Sequence, residues 1–223
     1  MNQFQTISTK FIRPLGTAET IVVTNYIFEI NRLSLTKKEV EKINAINTRS
    51  KIKDRIKFII DRGGELKFNG TERQIYSNNL VLIDSLLPEI TAWLVFYFFT
   101  SNDSKMVDLV SNLEKLNPLN FDITNKYHFY TYKMKRFLTA VALGMMPDKV
   151  WNGEYDSMGG YLIEKENDDV LSNHIYNKNE FENYLINNTK LDTASSSRHG
   201  FGEVYLEEDQ LFIKLNLQIR FIK

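Results

Sequence analysis

Residues 20–30, TIVVTNYIFEI, are dominated by β-branched and aromatic positions, the composition of a strand or a buried segment. The period changes at TKKEVEKINAI (36–46), where Thr36 is followed three residues later by Glu39, the spacing of a capping box, so a helix is expected to start there. In SKIKDRIKFIIDRGG (50–64), Ile52, Ile56, Ile59 and Ile60 share one helical face and Gly63-Gly64 supplies the stop. ELKF (65–68) reads as a short strand, and the aromatic run ending at Phe99 as the central helix. Two more helices are expected over about 104–116 and 125–145, the second ended by Pro147. The final third then alternates. GGYLIEKENDDVLSNHIY (159–176) reads as a hairpin turning near 167–169, NEFENYLINNT (179–189) as a short helix, and GEVYLEEDQLFIKLNLQIRFI (202–222) as a second hairpin turning near Glu208-Asp209. The pattern is that of an α+β protein, a single domain over 1–223 with a mainly helical middle (31–150) and C-terminal β-hairpins (151–223); no internal repeat or low-complexity linker interrupts it.

Composition narrows the class. At 223 residues the chain can bury a sizeable core, and 43% hydrophobic with 25% charged residues is ordinary for a folded globular protein. Cysteine is absent, which excludes disulfides and thiolate metal sites and permits a reducing compartment; a cytoplasmic location is the expectation. MNQFQTIST has neither the basic nor the apolar region of a signal peptide. The apolar run LVLIDSLLPEITAWLVFYFF (80–99) is broken by Asp84, Pro88 and Glu89, leaving about half a membrane span from Ile90 onward, so it reads as a buried core helix and no membrane contact is expected.

A net charge of zero argues against nucleic-acid binding by bulk charge, but the distribution is polarised. From Arg32 to Lys67 there are eleven Lys and Arg against five acids, and from Gly153 to Asn183 eight acids against two lysines. The basic stretch either faces a polyanion or forms the solvated faces of amphipathic helices.

Templates for chemistry mostly fail. His128, His174 and His199 are scattered with no metal-ligand spacing, and there is no nucleophile elbow, phosphate-binding loop or dinucleotide fingerprint. DRGGELKFNG (61–70) holds Asp61 and then Glu65-x-Lys67, similar to the arrangement by which nucleases hold Mg²⁺ beside an attacking water. Asp61, however, falls at a helix end with two glycines before Glu65, a poor geometry for shared metal ligation. The polar run SSSRHGFG (195–202) is either a plain surface loop or a grip for phosphates and base edges.

Two C-terminal stretches, HIYNKNEFENYLINNTKLDTASSSRHGFGEVY (174–205) and KLNLQIRF (214–221), closely resemble the HpaII-type restriction endonucleases. GELKFNG, NNLVLIDSLLPEI and PLGTAETIVVTNYIFEI resemble the same family, so the likeness runs through nearly the whole chain. It implies a type II enzyme cutting short palindromic duplex DNA of the CCGG type, with Mg²⁺, as a homodimer matching the two-fold symmetry of its site, and with a companion DNA methyltransferase gene nearby. The fold implied is the C-terminal portion of a restriction-endonuclease-like fold, with 1–30 a remnant of the catalytic sheet.

The departures are specific. Family members carry a Ser-Ile-Lys-Ser run before Leu-Gly; here Lys10-Phe11-Ile12-Arg13-Pro14 precedes Leu15-Gly16, placing Ile12 where the lysine belongs and leaving Lys10 as the candidate catalytic residue only if the strand register slips. No acid precedes Leu15, so the metal ligands are unassigned, and the expectation is a truncated or degenerate member that binds DNA without cutting it. For DNA binding the resemblance implies Ser197, Arg198 and His199, with Lys190 before them and Gln218 and Arg220 on the last strand: hydroxyls for phosphate, a guanidinium able to hold guanine O6 and N7 together, and an imidazole donor. The alternatives are a non-catalytic DNA-binding module and a protein-interaction domain using the aromatic residues 90–99.

Overall fold

A computed structural model describes residues 20–124, 126–154, 160–166, 169–175 and 177–222. Lys10 lies outside the described residues. The chain runs β1 (Thr20–Asn31), α1 (Lys37–Asn44), α2 (Lys51–Asp61), β2 (Glu65–Thr71), α3 (Gln74–Ile83), α4 (Leu87–Thr100), α5 (Met106–Leu116), α6 (Phe129–Ala142), β3 (Gly160–Glu166), β4 (Asp169–Ile175), α7 (Lys178–Asn188), β5 (Thr189–Leu191), α8 (Ser196–His199), β6 (Val204–Glu207) and β7 (Gln210–Phe221). This is an α+β fold. Its main sheet is antiparallel in the order β2-β1-β7-β5, with β6 also on β7, while β3 and β4 form a separate hairpin.

Local signals account for most boundaries. The capping box at α1 is complete: Glu39 N–H donates to Thr36 Oγ1, and Thr36 N–H donates to the Glu39 carboxylate at 2.8 Å. Hydrogen bonding to Thr36 holds the Glu39 carboxyl below the usual glutamate value. α2 stops where Gly63 takes φ +83°, and a Cβ on Gly64 would lie 2.7 Å from Ile59 Cγ2. The β6–β7 hairpin turns at Glu208 and Asp209, both at positive φ, the two-residue geometry whose twist matches the flanking strands.

Two boundaries differ from the sequence reading. The apolar run 80–99 forms two helices that meet at 111°, not one. Asp84, extended at φ −163° and ψ 132°, ends α3; its Oδ1 accepts from Leu86 N–H at 3.0 Å, and its carboxylate pairs with Lys133 of α6. Pro88 then occupies the first turn of α4, where its missing N–H costs nothing. Among the described residues no single helix is long and apolar enough to cross a membrane. α6 starts at Phe129 instead of near 125, because His128 is in the left-handed region at φ 52°.

α4 is buried nearly all round, as expected of a helix apolar on every side. Its Leu94, Val95, Phe98 and Phe99 are in the core, and the rings of Trp93, Phe96 and Tyr97 pack together at 5.6–5.9 Å, Trp93 stacked on Tyr97 and edge-on to Phe96. Most of 90–99 is thus committed to the core, with Trp93, Phe96 and Tyr97 only partly buried. The core face of the sheet carries Val22, Tyr26, Phe28 and Ile30 of β1 opposite Ile219, Leu215, Ile213 and Leu211 of β7. Alternation puts Asn25 and Glu29, with Lys214, Asn216, Gln218 and Arg220, on the other face. The side toward the helices is thus apolar, and the polar back carries these residues alongside Val23, Ile27 and Phe212.

Candidate nucleic-acid interface

On the edge of β7 away from β1, two short strands share its length. β5 pairs with its residues 219–221 and β6 with 210–213. Between them the chain leaves the sheet edge, touching β7 where Asp192 N–H donates to the Gln218 carbonyl at 2.9 Å and Gly202 N–H to the Lys214 carbonyl at 2.8 Å. The excursion between these points is the SSSRHGFG run.

It forms a single helical turn. Ser195 caps it, accepting from Arg198 N–H at 3.4 Å and lying 3.1 Å from Ser197 Oγ, and Gly200 closes it at φ 60° with its N–H donating to the Ser196 carbonyl at 2.8 Å. The signals for this turn, serine before and glycine after, stand in the sequence, but four residues are too few for hydrophobic periodicity to reveal them. Ser197 and Arg198 are exposed, and Arg198 makes no ion pair among the described residues. His199 is half-buried, and its carbonyl accepts from Asn25 Nδ2 at 2.7 Å.

The remaining three residues belong to strands β5 and β7. Lys190 on β5 stands directly opposite Arg220 on β7, which puts both side chains on the polar back of the sheet with Gln218 two residues along. Lys190 and Arg220 are half-buried. Arg220 is paired with Asp192 at 3.2 Å. Gln218 is 4% exposed, a buried element of the floor.

Four residues absent from the sequence reading organise this face. Asn25 Nδ2 donates to Glu72 at 2.9 Å as well as to His199, and Asn25 Oδ1 accepts from Asn216 Nδ2 at 2.8 Å. Glu72 in turn accepts from Lys214 Nζ at 2.7 Å, a bond that raises the Lys214 pKa. Asparagines inside otherwise β-branched strands were the available signal.

The other side of the excursion is held by α2. Arg55 is 3% exposed and donates to the carbonyls of Gly202 at 2.5 Å, Ile46 at 3.1 Å and Asn44. Burial lowers its pKa, with the Glu203 carboxylate opposing that effect. The Asn44 side chain, closing α1, also pairs both ways with the backbone of Val204, at 2.7 and 2.9 Å, and satisfies the start of edge strand β6.

The basic middle is not one surface. Arg55 is inside, Lys53 donates to the Ser101 carbonyl at the end of α4, Arg62 lies 3.5 Å over the Phe58 ring, and Arg32 pairs with Glu65 at 3.2 Å. Lys57 is exposed and Lys51 half-buried. Of the acidic triplet, Asp61 ends α2, and Glu65 and Lys67 are exposed on β2. Among the described residues no three His, Asp or Glu side chains converge to hold a metal ion, so no hydrolytic step through Mg²⁺ follows from them.

With this geometry in place, comparison with known proteins defines the class. The model of the HpaII restriction endonuclease family matches residues 5–221, and the chain belongs to that family. It is 46% identical over 212 residues to the type II restriction enzyme HpaII of Haemophilus parainfluenzae, an alignment covering 93% of this chain and 58% of that protein. The chain thus spans less than two thirds of the length of the curated relative it matches. No solved structure matches it.

Proposed function

We propose that this protein binds a short palindromic duplex of the CCGG type and reads it with the turn Ser196–His199, as part of a type II site-specific deoxyribonuclease. Arg198 carries the reading: an exposed guanidinium on a rigidly mounted turn can donate two bonds to guanine O6 and N7 in the major groove. Ser197 and the half-buried Lys190 serve phosphate, and His199 offers a further donor. Gln218 and Arg220 form the floor, Arg220 through its hold on Asp192. A palindromic site asks for two copies related by a two-fold axis, so the partner in the complex is a second copy of this chain, and a companion methyltransferase protects host DNA. In this reading Mg²⁺ is the cofactor when DNA is cut, and Lys10 stays the candidate catalytic lysine.

A DNA-binding module without cleavage is the second reading, favoured by the lack of a convergent carboxylate group among the described residues. One experiment addresses both. The protein is titrated with a duplex carrying one CCGG site and with a scrambled duplex of equal composition, and is incubated with a plasmid and Mg²⁺ followed by end-mapping. Preference for the CCGG duplex, lost in Arg198→Ala, supports DNA reading by the turn, and equal binding of both duplexes sinks it. Discrete fragments at one sequence, absent in Lys10→Ala, select the nuclease.

A further inference from the structure

We propose that Asn25 is a positioning residue for DNA reading: its side-chain amide holds the carbonyl of His199 and so sets where Arg198 stands above the sheet. The inference rests on the reading of Ser196–His199 as the DNA-contacting turn.

Asn25 is in the middle of β1, 2% exposed, on the polar back of the sheet. Its amide orientation is dictated by its neighbours. The Glu72 carboxylate accepts from Nδ2, the His199 carbonyl accepts the second Nδ2 proton, and Asn216 Nδ2, which also donates to the Thr24 carbonyl at 3.1 Å, supplies the donor for Oδ1. A flipped amide would set Nδ2 against the Asn216 donor and Oδ1 against two acceptors. Both donors and the oxygen are engaged by groups on three different segments, so the side chain is a rigid strut.

The strut ends on the last residue of the turn. His199 is the final helical residue of α8, next to Arg198 in the chain, and Gly200 follows in the left-handed conformation. Fixing the His199 carbonyl therefore fixes the axis of the turn and the direction in which Arg198 leaves it. An asparagine needed only for sheet packing would satisfy its donors within the strands. This one reaches 174 residues along the chain to the segment that meets DNA. Lys214 steadies the strut from beyond Glu72, and its own carbonyl receives Gly202 N–H, so the paired strands β1 and β7 anchor the two ends of the Gly200-Phe201 segment, β1 at His199 and β7 at Gly202.

The test is a double-mutant cycle read as the ratio of affinities for the CCGG and scrambled duplexes. Asn25→Asp keeps the shape and the acceptor for Asn216 but removes both donors. It should lower the ratio on the order of tenfold, leave scrambled-duplex affinity and its salt dependence unchanged, speed amide hydrogen exchange at 196–200, and have no further effect in an Arg198→Ala background. Because a carboxylate beside Glu72 can destabilise the fold, Asn25→Asp/Glu72→Gln is measured in parallel; it relieves the repulsion while His199 still lacks its donor, and the same fall in ratio is expected. A parental ratio in both Asn25 variants, with the ratio abolished in Arg198→Ala, overturns the inference while leaving the turn as the reader. An equal fall with and without Arg198 shows a general structural role and also overturns it. A parental ratio in Arg198→Ala refutes the reading on which it rests, and the inference with it.

Discussion

The guanidinium of Arg55, in the interior of α2, donates at 2.5 Å to the carbonyl of Gly202, 147 residues further along the chain. The same side chain gathers the carbonyls of Asn44 and Ile46, so one buried cation ties the end of α1, the α1–α2 connection and the exit of the candidate DNA-reading turn together. Neutralising carbonyl dipoles from three directions compensates part of the cost of taking the charge out of water.

Arg55→Met keeps the packing volume and leaves these carbonyls without their donor. A loss of about 1.5–3 kcal/mol in unfolding free energy is expected, seen as a lower urea midpoint at unchanged slope. An unchanged midpoint would show that water takes over the role of the guanidinium.

Gly202 is required by both conformation and space. Its φ is +84°, and an added Cβ would lie 2.7 Å from Ile52 Cγ1 and 2.8 Å from Cδ1. Gly202→Ala should destabilise by about 1–3 kcal/mol. Combined with Ile52→Ala the two effects should sum to less than their separate values, because the smaller side chain makes room for the new methyl; strict additivity in thermal melts would contradict the close approach.

Arg198→Ala should cost about 1–3 kcal/mol of discrimination between the CCGG and scrambled duplexes. A phosphate-only role would instead weaken both duplexes alike, which fluorescence anisotropy distinguishes.

Among the lysines of α2, Lys57 and Lys51 are the ones available to phosphate. Replacing both with glutamine should reduce the slope of log K against log salt by about 0.9 for each phosphate that is no longer neutralised, with sequence preference kept. Lys53→Gln should leave the slope unchanged, since its ammonium is engaged with the Ser101 carbonyl.

The Lys214 pKa is raised, first by its hydrogen bond to Glu72, so the pair favours the folded state while the lysine is protonated. Its contribution is complete below the unfolded-state lysine value and is lost as pH rises through the higher folded-state value. Unfolding midpoints of the parent should therefore fall toward those of Lys214→Met in that alkaline window and stay apart from them at neutral pH. A constant difference across the window would assign the effect of the substitution to packing.

What the sequence determined by itself is what neighbours in the chain decide. The Thr36–Glu39 capping box, the Gly63-Gly64 stop and the hairpin turn at Glu208-Asp209 all follow from short-range sterics and turn chemistry, and all are present in the fold. The family was legible as well, in a long co-linear match of uncommon residue combinations. Tertiary structure alone decided which polar residues are tools and which are supports. Arg55 counts as one more charge in a basic stretch until α2 packs beneath Gly202, and Gln218 is one more alternating polar position until the sheet is covered. Asp84 breaks an apolar run into two helices with Lys133 of α6 as its partner, and Asn25 acquires its role from a carbonyl 174 residues away. Burial and hydrogen bonding at such separations depend on which surfaces meet, and no local pattern of residues carries that information.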